Sequence, residues 1–437
     1  MSTLAGFFRF AENRTTLKTE IVAGITTFVT MAYVLAVVPK ILSSTGIPLP
    51  EIIVLVCVAT MLATLVMGLY TNRPFALAPG LGSVAIAASM VTTAGFTTGT
   101  MAGTIFISGL LFMIVTFFGL RDAVVRAIPA SLKYAVSASV GLFIAFIGAR
   151  SGHLIHAGKK ALEWGDLASP NALLCLIGFM LIIIMRQKKV PGGIILSILA
   201  TTLIGIPLGV THVPEHLFSL PFNLIDAGAN RLTDFDLASC LNIAIVPFVI
   251  ALFIPDFFST FGTLLGVGGK AGYLDKNGNL PGMDKCFNVD STATAVGGLF
   301  AVPCVTTYLE SSAGVESGGR TGLTAVVVAV CFFLALFATP IAIMIPAAAT
   351  APALIYIGVD MLGGVRRLDF TSFEEYFPAF VCITFTILAS NIANGICVAI
   401  PTYLVIKLAS GKVREIDPLL YIVSLVCVGY FAALILK

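Results

Sequence analysis

Residues 304–320 read C-V-T-T-Y-L-E-S-S-A-G-V-E-S-G-G-R, and this stretch decides how the fold is interpreted. Glu310 lies here among small residues, between two long apolar runs, and no charged residue separates it from Asp290. A carboxylate in such apolar sequence is costly to bury, and intramembrane ionisable residues are functional by default. The stretch is also too polar and too rich in glycine for an ordinary continuous membrane helix.

The composition of the chain sets its class. The 437 residues are 58% hydrophobic and 11% charged, with a mean hydropathy of +1.03, whereas soluble domains carry about 25% charged residues. The chain is therefore predicted to be an all-α polytopic membrane protein forming one membrane transporter domain over residues 1–437. One crossing needs about 20 apolar helical residues, so the length allows about fourteen. Nothing in the composition indicates nucleic-acid binding.

Apolar runs predict fourteen spans and one further segment. The spans are 21–42, 52–70, 75–92, 101–119, 128–149, 171–185, 191–210, 238–266, 289–303, 304–319, 322–339, 341–363, 376–391 and 393–409. The segment 417–436 is either a fifteenth crossing or an interfacial helix. With Met1 inside, 18 of the 25 Lys and Arg residues lie inside, six lie outside and Lys133 lies within a span. Since positive charge accumulates on the cytoplasmic side, the N-terminus is predicted to be cytoplasmic.

An internal repeat relates the two halves of the chain. Ile128-Pro129-Ala130 recurs as Ile345-Pro346-Ala347, and residues 191–200 resemble residues 393–402 about 200 positions later. These anchors pair span 1 with span 8 and span 3 with span 10, in repeats over about 19–211 and 237–410. Seven spans per repeat is an odd number, so the repeats are inverted. Interrupted segments at matching positions of inverted repeats are typical of a secondary transporter site near the bilayer midplane.

The polar residues of span 10 predict a ligand-binding carboxylate. If the stretch is helical, its spacing places one polar face together, formed by Thr306, Glu310, Gly314 and Ser317. Glu310 would then accept hydrogen bonds from adjacent N–H groups of a planar ligand, an interaction strengthened by its charge. The alternative is a structural carboxylate that caps a buried helix end.

Span 8 carries a second carboxylate. Asp256, Thr260 and Thr263 share one helical face with Ser259 beside them, and Pro255 is expected to kink or interrupt the helix just before Asp256. Asp256 is a candidate proton carrier or second ligand contact, or else a helix cap released by the proline. Span 1 shows a similar but weaker pattern of polar residues on one helical face. These residues, Thr26, Thr30 and Tyr33, either face a cavity or form hydrogen bonds between helices.

Other charged residues have simpler interpretations. Asp290 is either a proton-coupling group or an N-terminal anchor of span 9, Lys133 is expected to snorkel to the interface, and Asp360 reads as an interfacial residue. All four histidines are predicted in outer loops: His153, His156, His212 and His216. Proton coupling would therefore fall to Asp256, Glu310 or Asp290, with sodium as the alternative driving ion. The nine scattered cysteines indicate no metal site, and no cofactor is expected.

Several segments together resemble a known family. They are F-F-R-F-A-E-N-R-T-T-L-K-T-E-I-V-A-G-I-T-T-F-V-T-M-A-Y-V-L at 7–35, A-L-A-P-G-L-G at 76–82, F-G-T-L-L-G-V at 261–267 and V-T-T-Y-L-E-S-S-A-G-V-E-S-G-G-R-T-G-L-T-A-V at 305–326. The chain resembles the nucleobase-cation symporter-2 permeases, and within them the AzgA-like branch that imports adenine, guanine and hypoxanthine. The resemblance covers nearly the whole chain.

The resemblance implies a fold and a site. The fold has fourteen spans in two inverted repeats of seven, with a core domain of spans 1 to 4 and 8 to 11 and a gate domain of the remainder. Short extended segments in spans 3 and 10 cross beside the substrate. Glu310 matches the base-binding glutamate, and the backbone of Ala78, Pro79 and Gly80 matches the span 3 platform. The substrate-binding positions expected here are Glu310, Ser259, Asp256, Ala78, Pro79, Gly80, Thr30, Thr263 and Leu309.

This chain departs from the family pattern at two positions. Ser259 stands where the family places its second, principal acid of span 8, and Val84 stands where span 3 has an Asn. The two changes remove an acid and an amide that would distinguish purines. The family also implies the plasma (inner) membrane and a homodimer.

Three functions follow as alternatives. The leading one is import of a purine base by proton symport. The second is a carrier of another small solute, or an anion carrier or channel, on the same inverted-repeat fold. An anion would need a positive site, yet spans 3 and 8 and the centre of span 10 hold no Lys or Arg. The third, a membrane enzyme, lacks a histidine, a Ser-Lys pair or a twin-carboxylate motif in the spans, so the chain is predicted not to be an enzyme.

Overall fold

The first half of the computed structural model is mostly helical. The model describes residues 2–119, 129–157, 162–190, 192–216, 218, 224–275, 280–389 and 392–435. The first half contains α1 (Ser2–Phe7), α2 (Leu17–Met31), α3 (Val34–Leu42), α4 (Leu49–Val66), β1 (Leu77–Pro79), α5 (Leu81–Thr92), α6 (Thr98–Phe117), α7 (Ala130–Ser151), β2 (Ile155–Ala157), β3 (Leu162–Trp164), α8 (Pro170–Gln187), α9 (Gly193–Ile204) and α10 (Leu224–Asp234). Ile128 and Pro191, which anchor the sequence repeat, lie outside the described residues.

The second half follows the same plan. It contains α11 (Val246–Lys270), α12 (Met283–Leu299), β4 (Val305–Thr307), α13 (Ser311–Glu316), α14 (Gly322–Ala335), α15 (Thr339–Met344), α16 (Ala347–Met361), α17 (Phe373–Leu388), α18 (Ile392–Ala409) and α19 (Pro418–Ile435). In each half, a three-residue strand separates a long helix from a shorter one, which confirms that spans 3 and 10 are interrupted.

Several helices have the dimensions of membrane crossings. Among the described residues, seven stretches are long and apolar enough: Leu17–Thr45, Leu49–Thr71, Thr98–Phe117, Ser131–Ser151, Pro170–Gln187, Ile243–Lys270 and Gly322–Met344. Shorter apolar helices such as α5, α9 and α16 accompany them. The chain is therefore a multi-pass membrane protein.

The two interrupted spans pair with each other directly. Strands β1 and β4 are antiparallel, with Leu77 opposite Thr307, Ala78 opposite Thr306 and Pro79 opposite Val305. All of these residues are buried. Backbone groups at membrane depth must find partners inside the protein, and a two-stranded ladder between the halves satisfies this need.

The first membrane helix is also broken. Helix α2 ends at Met31 and α3 begins at Val34, so Ala32 and Tyr33 occupy the junction between them. Tyr33 is 3% exposed. At this break, the large polar side chain of Tyr33 lies in the protein interior, near the strands.

Two expectations about spans 9 and 10 are wrong, and one about span 8 is wrong in part. Helix α11 runs from Val246 to Lys270 through Pro255, so the proline does not interrupt the helix before Asp256. Helix α12 begins at Met283, so Asp290 lies in its middle and does not anchor its N-terminus. Thr306 lies on β4 while Glu310 precedes α13, so the expected polar helical face of span 10 does not form.

The helices form two packing groups. In the first, α12 and α11 pack on α6, α14 packs on α2 and α4, α3 packs on α4 and α5, and α5 packs on α11. In the second, α7 packs on α16 and α17, and α8 packs on α16. Phe112 lies at the centre of the first group, with ring centroids 5.5–6.1 Å from those of Phe253, Phe257 and Phe287. This packed cluster lies beside the strand crossing and fixes α11 against α6 and α12.

Candidate functional site

The antiparallel pair of β1 and β4, called the crossing below, is fixed by hydrogen bonds. Gly80 N donates to Cys304 O at 3.0 Å and Tyr308 N donates to Ala76 O at 2.9 Å, which closes both ends of the ladder. The Tyr308 hydroxyl donates to Pro79 O at 2.6 Å. The predicted platform residues Ala78, Pro79 and Gly80 are therefore held by backbone and side-chain bonds from the opposite half of the chain.

Glu310 lies three residues beyond β4. It is the N-cap residue of α13, but its side chain makes no capping hydrogen bond. Instead, Oε1 accepts a 2.6 Å hydrogen bond from the Tyr33 hydroxyl at the break between α2 and α3. Glu310 is half-buried, and the Tyr33 hydroxyl is the one side-chain donor to its carboxylate among the described residues. The observed geometry thus differs from the alternative in which Glu310 caps a buried helix.

Side chains are exposed next to Glu310 in sequence and in the middle of α11. Leu309 is 57% exposed, and Ser259 is exposed in the middle of α11. A Cβ atom built on Gly262 or on Gly266, which follow Ser259 on α11, would meet no atom within 4 Å. These positions give α11 a face of small residues that leaves room for a ligand.

The second packing group carries charged side chains, and one of them contacts α11. The ammonium of Lys133 on α7 lies 4.4 Å from the ring centroid of Phe258 on α11. Lys133 therefore connects α7 to α11. Asp360 and Arg186 are both exposed.

Two buried aspartates lie behind the strand and are bonded crosswise. Thr294 on α12 donates to Asp256 Oδ2 on α11 at 3.0 Å, and Thr260 on α11 donates to Asp290 Oδ2 on α12 at 2.9 Å. Each helix thus carries an aspartate and, four residues later, a threonine that donates a hydrogen bond to the aspartate of the other helix. Among the described residues, the remaining oxygen of each aspartate, Oδ1, is buried without a hydrogen-bond partner.

Strand β4 connects the aspartates to Glu310. Asp290 Oδ2 also accepts hydrogen bonds from Thr307 N and Thr307 Oγ1, both at 2.8 Å. The hydroxyls of Thr260 and Thr306 are 2.7 Å apart. A change at the aspartates would therefore reach Glu310 from Thr307, the last residue of the strand, through Tyr308 and Leu309.

Other predicted positions are less directly connected. The Thr30 hydroxyl donates to Thr26 O and Thr27 O of its own helix, and Thr263 is buried on α11 one turn beyond Thr260. The Ser317 hydroxyl likewise donates to Ala313 O. The structure gives these three side chains no hydrogen bond to Glu310 or to the aspartates.

Sequence reasoning missed several members of the site. It placed Tyr33 on a weak polar face without assigning it to Glu310, and it did not single out Thr294, Thr307 or Tyr308. One signal was present, because Asp-x-x-x-Thr occurs both at 256–260 and at 290–294. On two packed helices, this spacing places each aspartate at the level of the other helix's threonine.

The chain is similar to known permeases over nearly its whole length. Residues 18–398 match a family model described as "Permease family" (Xan_ur_permease). MJ0326 of Methanocaldococcus jannaschii is 40% identical and covers 96% of each chain. The guanine/hypoxanthine permease PbuO of Bacillus subtilis is 38% identical, with 96% of this chain and 98% of PbuO covered. The adenine permease AdeP of Escherichia coli is 35% identical, with 96% and 93% covered.

Solved structures show the same fold at low sequence identity. The transmembrane domain of the cyanobacterial bicarbonate transporter BicA aligns with a TM-score of 0.65 at 17% identity, covering 88% of this chain and 97% of that domain. SLC26A9 aligns with a TM-score of 0.58 at 10% identity, covering 94% and 69%. The relatives at 30% identity and above are permeases, not enzymes. The chain therefore belongs to the permease family, together with curated permeases for guanine, hypoxanthine and adenine.

Proposed function

We propose that the protein imports a purine base of the hypoxanthine, guanine or adenine type by proton symport. The observation that carries the proposal is Glu310, a half-buried carboxylate beside the β1–β4 crossing whose Oε1 is held by Tyr33. The oxygen left for a ligand, Oε2, is a strong acceptor for N–H groups on the edge of a planar base. The similarity to purine permeases agrees with this chemistry.

The binding site combines contacts from several spans. The base would lie over the backbone of Ala78, Pro79 and Gly80, with Glu310 on its polar edge and Leu309 against its apolar surface. Ser259 and the small residues beyond it on α11 would form the opposite wall, with Asp256, Thr30 and Thr263 as supporting positions. A planar ring suits the space because the exposed face of α11 is formed by side chains no larger than serine at positions 259, 262 and 266.

Transport would proceed by alternating access on a fourteen-span fold of two inverted repeats, 19–211 and 237–410. The first packing group corresponds to a core domain that carries the site, and the second to a gate domain. Rocking of the core against the gate would expose the site to each side in turn. The antiparallel pairing of β1 from one repeat with β4 from the other supports this inverted relation.

The proton would be carried by the crosswise pair of Asp256 and Asp290. Two carboxylates buried together in a low dielectric repel strongly as dianions, so one shared proton stabilises the pair. Their unpartnered Oδ1 atoms leave room for that proton, and β4 links the pair to Glu310. A neutral base carried with one proton gains about 2.3 kcal/mol per 100 mV of membrane potential, an accumulation of roughly fiftyfold.

An anion carrier fits the site less well. Two solved structures with the same fold are described as a bicarbonate transporter and as an anion transporter, but at 17% and 11% identity they bear on the fold alone. Glu310 would repel an anion at the crossing. Insertion into the inner membrane with a cytoplasmic N-terminus, and assembly as a homodimer, complete the proposal.

The test is uptake of labelled hypoxanthine, guanine, adenine, xanthine and uracil into cells that lack their own permeases. Wild type should accumulate at least one purine, and an imposed proton gradient should drive uptake in reconstituted vesicles where a sodium gradient does not. Asp256→Asn should remove the dependence on the proton gradient. If well-expressed wild type takes up none of the five compounds, the nucleobase proposal fails. Sodium-driven uptake would overturn the proton assignment alone.

A further inference from the structure

A second polar cavity lies away from Glu310, between the two packing groups. It has a volume of about 620 Å³ and is lined by the last turn of α3, the second half of α5, the end of α7 and the start of α16. Lys40 lies in the last turn of α3, and α2 and α3 together run away from the N-terminus within one crossing. The cavity therefore opens towards the membrane face opposite the chain's start.

Two cationic side chains line this cavity without ion-pair partners. They are Lys40 on α3 and Arg150 on α7. Within the described part of the chain, neither forms a salt bridge, and the cavity lining contains no Asp or Glu. Uncompensated cations in a concave site with low-dielectric walls focus a positive potential and attract electron-rich or anionic ligands.

The aromatic side chains on the other walls of the cavity indicate which kind of ligand would fit. Phe143 and Phe146 on α7 are stacked, with ring centroids 6.5 Å apart and an interplanar angle of 27°. The Arg150 guanidinium lies 5.9 Å from the Phe146 ring centroid. Ser89 and Thr92 on α5 already donate to carbonyls of their own helix. Flat aromatic surface beside two cations is the chemistry that binds a planar ring bearing acceptor oxygens.

We propose that the cavity lined by Lys40, Arg150 and Phe146 is an access site for oxo-purines, distinct from the site at Glu310. The Lys40 and Arg150 donors would meet the ring carbonyl oxygen, and the ring plane would lie on Phe146. Both packing groups contribute walls, so a relative movement of the groups would change the site and release the ligand. The identity of the ligand rests on the proposed function. The positive potential of the cavity does not depend on whether the protein transports a purine.

The first test measures the potential of the cavity. Thr93 is exposed and lines it, so Thr93→Cys serves as a reporter in the full-length protein, with the parent chain as the blank. A negatively charged methanethiosulfonate reagent should react faster than a positively charged one. Adding Lys40→Gln and Arg150→Gln should lower the ratio of the two rates about tenfold, whereas the exposed control Arg414→Gln should not change it. An unchanged ratio in the double variant would overturn the proposal.

The second test identifies the ligand and separates the two sites. Hypoxanthine should slow labelling at Thr93→Cys, and adenine, which lacks the ring carbonyl oxygen, should slow it less. This protection should persist when Glu310→Gln is added and disappear when Lys40→Gln and Arg150→Gln are added. Protection that depends on Glu310 but not on the two cations would assign it to the crossing and overturn the access site. Reading both reagents on the same purified variant guards against a folding defect, which would change both rates together.

Discussion

The Tyr33 hydroxyl donates a 2.6 Å hydrogen bond to Glu310 Oε1 across 277 positions of sequence. The bond joins the break in the first membrane helix to the residue that follows β4, so two interrupted segments fix one carboxylate. A free glutamate would lose side-chain rotamer freedom when it binds a ligand. Tyr33 therefore holds one oxygen of the Glu310 carboxylate in place before a ligand binds.

Tyr33→Phe should weaken purine binding about tenfold, because hydrogen bonds to charged groups contribute about 1.5–3 kcal/mol and tenfold corresponds to about 1.4 kcal/mol. The phenyl ring keeps the packing at the helix break, so the stability of the protein should change little. Equilibrium binding of labelled base to purified protein measures the effect. Tyr421→Phe on α19 removes a hydroxyl remote from the crossing and is the control. Equal affinities for Tyr33→Phe and wild type would show that the bond does not orient Glu310.

Thr260→Val should destabilise the protein by about 1–3 kcal/mol, because it removes a donor from Asp290 and the partner of the Thr306 hydroxyl in a buried place. Valine has nearly the shape of threonine, so the loss reports hydrogen bonds and not volume. Thermal unfolding in detergent measures it, and Thr260→Ser should restore most of the stability. The control is Thr402→Val, since the Thr402 hydroxyl donates only to Val398 O in its own helix. Equal unfolding temperatures for both valine variants would contradict the crosswise bonding.

Ser259→Asp should alter which bases are transported. Ser259 is exposed beside the crossing, so an aspartate there adds a second acceptor without burying a charge in the packed core. Bases that present more N–H donors, such as guanine and adenine, should gain relative to hypoxanthine. Competition of unlabelled bases against labelled hypoxanthine uptake gives the ranking, with Ser259→Asn as the isosteric neutral control. An identical ranking for wild type and both variants would place Ser259 outside the substrate site.

Gly314→Ala should disrupt the contact of α13 with α2. A Cβ at this position would lie 2.1 Å from Thr27 Oγ1 and 2.8 Å from Ala23 O, so the short helix would have to move. Overpacking of this kind costs about 1–3 kcal/mol or more, and the movement would displace Glu310 at the N-terminus of α13. Gly266→Ala on α11 is the matched control, since its Cβ meets nothing within 4 Å. Thermal unfolding of the two variants should differ clearly; similar unfolding temperatures would mean that α13 packs more loosely than described.

Much of the crossing could be predicted from the sequence because its signals are local. Small residues, glycine and proline in 75–92 and 304–319 are incompatible with ordinary membrane helices, and the repeat paired the two stretches. The β1–β4 ladder confirms that these spans are interrupted. Glu310 could be singled out because a lone carboxylate in apolar sequence carries a large cost of burial.

The remaining parts of the site depend on backbone paths and distant contacts. Helical spacing grouped Thr306 with Glu310, but an extended backbone at 305–307 directs Thr306 towards Thr260 instead. The sequence predicts Asp290 at a helix start because Asp284, Lys285 and Asn288 make the first turns of α12 too polar to be counted within a membrane span. Glu310 bonds to Tyr33 and Asp256 bonds to Thr294, and both partners are distant in sequence. A single sequence does not show which distant residues are close in the fold.

Binding of labelled hypoxanthine to purified wild type and Glu310→Gln tests the central claim most directly. The account predicts measurable binding by wild type and a loss of about a hundredfold in Glu310→Gln, because the amide replaces a charged acceptor that a base donates to, while the thermal unfolding temperature stays close to that of wild type. An unchanged dissociation constant in a folded Glu310→Gln protein would contradict the assignment of Glu310 as the group that holds the base.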